Sequence, residues 1–106
     1  MILKLDHNNF GSEGMIRLAD GLAMNSVLKM LSVTYCNIDA AGAQALFEIL
    51  IYTKSVLEEL NLTGNVLREA GTIKVLNGVS IAKHLKKIYL ADNQFSMDSE
   101  AVRNVI

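Results

Sequence analysis

The sequence has a single cysteine, Cys36, and no hydrophobic run long enough to cross a bilayer. One cysteine excludes an internal disulfide, and the start of the chain does not resemble a signal peptide. The most apolar stretch, residues 43–52, is interrupted by Gln44 and Glu48. It is much shorter than the about 20 apolar residues that a membrane helix needs. These absences favour a reducing, cytoplasmic location.

An excess of charge of one sign is also missing, because 10 basic residues face 11 acidic ones. This balance gives no general attraction to phosphate backbones or anionic membranes, so neither nucleic acid nor a membrane is the expected partner. There is no phosphate-binding glycine loop, zinc-protease motif or nucleophile elbow. His7 and His84 lie far apart, with no cysteine or carboxylate at metal-ligand spacing. We therefore expect no enzyme activity, no metal and no cofactor.

The main feature that is present is a repeat. Four segments, which begin at Leu3, Leu31, Leu60 and Ile88, share one pattern: a second apolar residue two positions on, then Asn or Cys three positions later. The steps between the segments are 28, 29 and 28 residues. A fixed period of this length indicates a solenoid, in which each unit buries its apolar face against its neighbours.

Each unit is predicted to contain one strand and one helix. The period-two alternation predicts a short strand that ends at the Asn or Cys, which we call the ladder residue because it can bond free backbone groups at the turn. A glycine follows the first three ladder residues by six positions, and apolar residues four and eight positions further on mark one helix face. Ser99 replaces this glycine in the fourth unit, so the last helix is expected to start differently. The ladder residues are Asn8, Cys36, Asn65 and Asn93.

Short parallel strands joined by such helices stack as a right-handed coil, with strands on the concave side and helices on the convex side. The predicted fold is therefore an α/β solenoid that forms a single domain of about four repeats: 1–27, 28–56, 57–84 and 85–106. Neither end has a polar cap, which favours a fragment of a longer array and allows homo-oligomer formation through the uncapped ends.

The segments NNFGSEGMIRLADGL, CNIDAAGAQALFEIL and NVLREAGTIKVLNGV resemble the ribonuclease-inhibitor-like subfamily of leucine-rich repeats. The alternating 28/29 period and the choice of Asn or Cys at the ladder position are similar to that subfamily as well. The resemblance covers essentially the whole chain. It implies a binding arc, since members include enzyme inhibitors, innate immune receptors, tropomodulins and the activating protein of the Ran GTPase.

A protein partner is expected to bind the concave face, because alternate strand side chains point out of it. Tyr35 and Tyr89 are the first candidates, since tyrosines offer the flat, partly polar contact area that is enriched in binding hot spots. Glu59 and Lys87 are expected to form a cross-strand ion pair. The candidate binding residues are Lys4, Asp6, His7, Met30, Ser32, Thr34, Tyr35, Glu59, Asn61, Thr63, Lys87, Tyr89 and Asp92, and Ile2, Gly64 and Ala91 share their positions.

Two other functions stay open at this point. A regulator of a small GTPase would use Arg68, which lies between strand and helix, where an exposed arginine could reach a nucleotide. A structural spacer would only propagate curvature within a longer array. Mutation separates the GTPase regulator from the protein-binding module, because the regulator needs Arg68 and the binding module needs Tyr35 or Tyr89.

Overall fold

The computed structural model describes residues 1–22 and 24–95, which form a single sheet with helices between its strands. The strands pair in parallel in the order β1-β2-β3-β4. This is the predicted β-α solenoid, with strands on the concave side and helices on the convex side. The predicted change at Ser99 lies outside the described residues. In chain order the elements are β1 (Ile2–Lys4), α1 (Gly11–Leu22), β2 (Met30–Ser32), α2 (Ala40–Ile51), β3 (Glu59–Asn61), α3 (Arg68–Ile81) and β4 (Lys87–Tyr89).

The strands pair at equivalent positions of successive units. Leu3 lies beside Leu31, Leu31 beside Leu60, and Leu60 beside Ile88. The spacing read from the sequence is therefore the register of the sheet. Because the register is constant, any position of the repeat forms a row that runs across the strands.

The core lies between the sheet and the helices. Leu31 and Leu60 of the middle strands are fully buried, as are Met15 of α1 and Leu46 of α2. Burying a side chain of this size contributes about 1.5–3 kcal/mol. Leu3, at the edge of the described sheet, is only half-buried because it has a neighbouring strand on one side.

Gly42 allows the start of α2 to approach the preceding unit closely. A Cβ at Gly42 would lie 2.5 Å from Ile38 Cγ2 and 2.8 Å from Ser12 Oγ. Ser12 Oγ accepts hydrogen bonds from Asp39 N at 2.9 Å and Gly42 N at 3.0 Å, and it donates one to Asp39 Oδ1. Asp39 Oδ1 also accepts from Ala41 N at 3.0 Å, so it caps α2. A side chain of α1 thus fixes the beginning of the next helix.

Candidate binding surface

The concave face consists of rows of equivalent residues, as the repeat predicts. Among the predicted residues, Met30 pairs with Glu59 and Glu59 with Lys87 in one row, while Asn61 pairs with Tyr89 in the next. The Nζ of Lys87 lies 3.7 Å from Glu59 Oε1, which confirms the expected ion pair. The side chains of both residues are more than a third exposed, so the pair contributes only about 0.2–1 kcal/mol.

Ser32 is not part of the accessible surface, contrary to its placement among the candidate binding residues. It is only 3% exposed, and its Oγ donates a hydrogen bond of 2.7 Å to Asp6 Oδ1. The same carboxylate oxygen accepts from Thr34 N at 2.8 Å. Because Asp6 occupies the polar atoms of Ser32 and of the Thr34 backbone, it joins the first two units rather than leaving Ser32 free for a partner.

These bonds also set the ionisation of Asp6. Burial alone would raise the pKa of the Asp6 carboxyl, but the hydrogen bonds from Ser32 and from Thr34 N outweigh it and leave the pKa below its ordinary value. Asp39 has a lowered pKa for a similar reason, because Ser12 and the N–H of Ala41 donate to its carboxylate. Both carboxylates are therefore ionised at neutral pH.

Just beyond the strands, one residue of each unit has a left-handed backbone. The φ angles are 61° for His7, 54° for Tyr35, 78° for Gly64 and 56° for Asp92. Outside glycine, asparagine, aspartate and histidine this conformation is rare, so its recurrence at one position, Tyr35 included, shows that the turn geometry is imposed by the repeat. The rings of His7 and Tyr35 at this position stack on each other and form a short aromatic column at the rim of the sheet.

Tyr35 is held in this column from both sides. Its ring stacks on that of His7, with 4.9 Å between centroids and 10° between planes. On the other side it lies against Gly64, where a Cβ would overlap the tyrosine ring. Tyr35 is nevertheless 47% exposed. The ring is therefore positioned by the units on either side of it, and about half of the residue is still accessible to a partner.

Tyr89 belongs to a different row. It is the last residue of β4, pairs with Asn61 and is 42% exposed. The two tyrosines therefore offer separate contacts, one on the sheet and one on the rim. Gly64 was predicted only as a concave-face position, and its contact with the Tyr35 ring was not predicted. The signal in the sequence is a glycine where the other units carry His7, Tyr35 and Asp92.

Among the ladder residues, Asn65 makes the backbone hydrogen bonds that were predicted for this position. Its Oδ1 accepts from Cys36 N at 3.0 Å and Ile38 N at 3.1 Å, and its Nδ2 donates to Val33 O at 2.9 Å and Leu62 O at 2.8 Å. Asn65 is only 1% exposed, so these bonds satisfy groups that water does not reach. They tie the second unit to the third.

The other ladder residues make different bonds. Asn93 Nδ2 donates to Leu62 O at 2.9 Å, which adds a link between the third and fourth units. Asn8 is exposed and bonds only its own unit, at Leu5 O over 2.8 Å. Cys36 Sγ lies 3.3 Å from Leu5 O. Burial raises the pKa of the Cys36 thiol, so the group is a poor nucleophile at neutral pH.

Arg68, the residue considered for GTPase regulation, is the first residue of α3 and is exposed. Its Nε donates to Gln94 Oε1 at 3.3 Å. The described residues do not bring three or more His, Cys, Asp or Glu side chains together to hold a metal ion. Within residues 1–22 and 24–95, no helix is long and apolar enough to cross a membrane.

The parallel sheet in constant register, the helix between successive strands and the buried Asn65 define a leucine-rich-repeat solenoid. Residues 1–19 and 25–47 match the family model described as Leucine Rich repeat. The chain is 37% identical over 75 residues to the mouse NACHT, LRR and PYD domains-containing protein 4C. The matched segment is 70% of this chain and 7% of that relative. It is 36% identical over 86 residues to the human NACHT, LRR and PYD domains-containing protein 13. That match covers 81% of this chain and 8% of the relative. The chain thus spans less than a tenth of the length of either relative.

Proposed function

We propose that this chain is a non-catalytic protein-interaction module that binds a partner through its concave face and the adjoining rim. The observation that carries the proposal is Tyr35, which is 47% exposed and yet fixed between the His7 ring and Gly64. A side chain that is already ordered loses little conformational entropy on binding. Tyrosine is also among the residues that most often dominate the energy of a protein interface.

The charges around Tyr35 favour a protein rather than a polyanion as the partner of this face. Lys87 is neutralised by Glu59, and Asp6 and Asp92 add negative charge near the aromatic column. A surface of mixed sign around exposed aromatic rings is typical of the polar rim and aromatic contacts of a protein interface. The partner is therefore expected to present both polar and apolar groups.

The experiment is site-specific photocrosslinking in cell extract. A photoreactive phenylalanine analogue replaces Tyr89 in one variant and Ile16 in a control variant, because Ile16 is also 42% exposed but lies on α1. A protein that crosslinks through position 89, and that is lost when Tyr35→Ala is added, supports the proposal. Equal crosslinking from position 16 would contradict it, since the contact would not be specific to the concave face.

We further propose that the units are of the ribonuclease-inhibitor-like kind. Each unit has another left-handed residue after its ladder residue, and its position alternates along the chain. In the first and third units it lies three positions after the ladder residue, at Gly11 and Arg68. In the second and fourth units it lies one position after, at Asn37 and Gln94. Two turn types in alternation agree with the alternating 28/29 spacing. The chain covers only 7% and 8% of its two relatives, which supports a place within a longer repeat array that acts as a scaffold. The single cysteine is the basis for proposing a cytoplasmic location.

A regulator of a small GTPase is the alternative function, and Arg68 is the observation behind it. Its guanidinium is exposed on the same rim as Tyr35, although it already bonds Gln94. The test is GTP hydrolysis by small GTPases with the wild-type chain and with Arg68→Ala. Acceleration by the wild type that the variant loses at unchanged affinity would replace the interaction module by the regulator, and no acceleration leaves binding or a structural spacer.

A further inference from the structure

Charge is segregated between the two rims of the solenoid, although it is balanced over the chain. The strand-to-helix rim, residues 5–11, 33–39, 62–68 and 90–95, contains three aspartates and a single basic side chain among lysine and arginine, Arg68, which bonds Gln94. The helix-to-strand rim is formed by residues 24–29, 52–58 and 81–86, so that each range begins at the equivalent position of its repeat. It contains four lysines and one acid, Glu58. The balanced total therefore hides a basic rim and an acidic rim on opposite sides of the same repeats.

The lysines of the helix-to-strand rim are largely uncompensated. Glu58 forms an ion pair with Lys86, with 3.5 Å between Oε1 and Nζ. Within the described residues, Lys29, Lys54 and Lys83 form no salt bridge. The nearest acids on the helices, at positions 20 and 48, lie about one helical turn back from the rim.

Large apolar side chains are exposed along the same rim. Met24, Tyr52 and Ile81 each follow the ladder residue of their unit by 16 positions, so they occupy one place in three successive repeats. Met24 is 78% exposed and Ile81 is 54% exposed, and Tyr52 is partly exposed at the end of α2. A single exposed apolar residue is common on protein surfaces. Exposed apolar residues that recur at the ends of three helices, on a rim that also contains lysines, indicate an interaction surface instead.

We propose that the helix-to-strand rim binds the surface of an anionic lipid bilayer, with Met24 and Ile81 inserted among the headgroups and the lysines above them. Apolar side chains combined with lysines are the composition of interfacial membrane-binding segments. A row of protruding side chains fits a flat, deformable surface that can contact all three units at once. The acidic rim lies on the far side of the repeat, where salt screens its repulsion beyond about 10 Å.

The first test is sedimentation of the full chain with vesicles. We expect the chain to sediment with vesicles of phosphatidylcholine and phosphatidylserine at a 70:30 ratio, but not with pure phosphatidylcholine. Each lysine near such a surface contributes about fivefold to the affinity, so Lys54→Glu/Lys83→Glu should weaken binding at least about 20-fold. The matched control, Arg17→Glu/Lys74→Glu, makes the same change of net charge on the helices, away from the rim, and should have a much smaller effect.

The second test uses the absence of tryptophan from the chain. Met24→Trp supplies a single reporter on the rim, and Ile16→Trp supplies one on α1. With anionic vesicles, the emission of the rim reporter should shift to the blue, while that of the control should stay unchanged. Failure of the wild type to sediment, equal loss in the two charge-reversed variants, or an unshifted rim reporter would overturn the proposal and leave the rim to an acidic protein. These outcomes are independent of crosslinking through the concave face.

Discussion

The contact between the first and second units and the contact between the second and third are built differently. Asn65 crosses the second of these contacts with three buried hydrogen bonds, to Cys36 N, Ile38 N and Val33 O. At the first contact the ladder residue is Cys36, whose thiol is a weak donor. That contact gains its polar links at the periphery instead, from Asp6 to Ser32 and from Ser12 to Asp39. Cys36 thus makes only weak hydrogen bonds at the centre of this contact, and the ionised carboxylates of Asp6 and Asp39 provide stronger ones nearer the surface.

One repeat pattern therefore allows two kinds of hydrogen-bonded contact between successive units. The Asn65 bonds are buried and uncharged, so neither salt nor acid should affect them strongly. The Asp6 and Asp39 bonds depend on ionised groups near water, and their contribution should change with pH. The first unit is therefore expected to separate under conditions that leave the second and third joined.

Asn65→Ala should have the largest effect on stability. Its backbone partners at Cys36, Ile38 and Val33 would remain buried without a bond, which costs about 3–5 kcal/mol in total. Cys36→Ala removes only a small side chain with weak bonds and should cost about 1–2 kcal/mol. Urea denaturation measures both, with Asn77→Ala on the exposed side of α3 as the control. Equal losses for Asn65→Ala and Cys36→Ala would refute the distinction between the two contacts.

Ser12→Ala should come next, at about 1–2 kcal/mol. The substitution removes one hydroxyl that accepts from Asp39 N and Gly42 N and donates to the Asp39 carboxylate. Ser26→Ala, in an exposed loop, provides the matched control. The same urea titration serves, and a loss no greater than that of the control would mean that Ser12 does not stabilise the first contact.

Acid should weaken the first contact selectively. The pKa values of Asp6 and Asp39 are lowered in the folded state, so their contribution is present above the unfolded value of about 3.9 and is lost as pH falls through the folded values. Stability should therefore decline below pH about 4, and less steeply in Asp6→Asn/Asp39→Asn. Thermal unfolding from pH 7 to pH 2.5 tests this, and parallel curves for the two proteins would contradict it.

Thr72→Val should produce the smallest change, and in the opposite direction. Thr72 is fully buried, and its Oγ1 has no hydrogen-bond partner among the described residues. Replacing the hydroxyl by a methyl group of similar size should stabilise the third unit by about 0.5–1 kcal/mol. Thr53→Val, at an exposed loop position, is the control. Destabilisation by Thr72→Val would show that the hydroxyl has a partner after all.

Much of the fold was predictable from spacing alone. The apolar pairs that begin at Leu31 and Leu60 recur at one period, and a constant period can only mean a constant register in a stacked sheet. The pair formed by Glu59 and Lys87 followed from the same register. These features depend on backbone positions, and the repeat fixes backbone positions.

The arrangement of the candidate site was only partly predictable. Ser32 occupies a concave-face position by count, but the Asp6 side chain of the neighbouring unit bonds and helps to cover it. The stack of His7 on Tyr35 requires left-handed backbone at both residues, and tyrosine rarely adopts that conformation. Side-chain conformations depend on the neighbouring unit, and spacing within the sequence does not specify them.

The most direct test of the account is the affinity of a crosslinked partner for purified wild-type chain, Tyr35→Ala and Ile16→Ala, measured by calorimetry. A hot-spot tyrosine contributes about 2 kcal/mol or more, so Tyr35→Ala should weaken binding about 30-fold or more while Ile16→Ala leaves it unchanged. Unchanged affinity for Tyr35→Ala, or an equal loss for both variants, would contradict binding through the concave face and its rim.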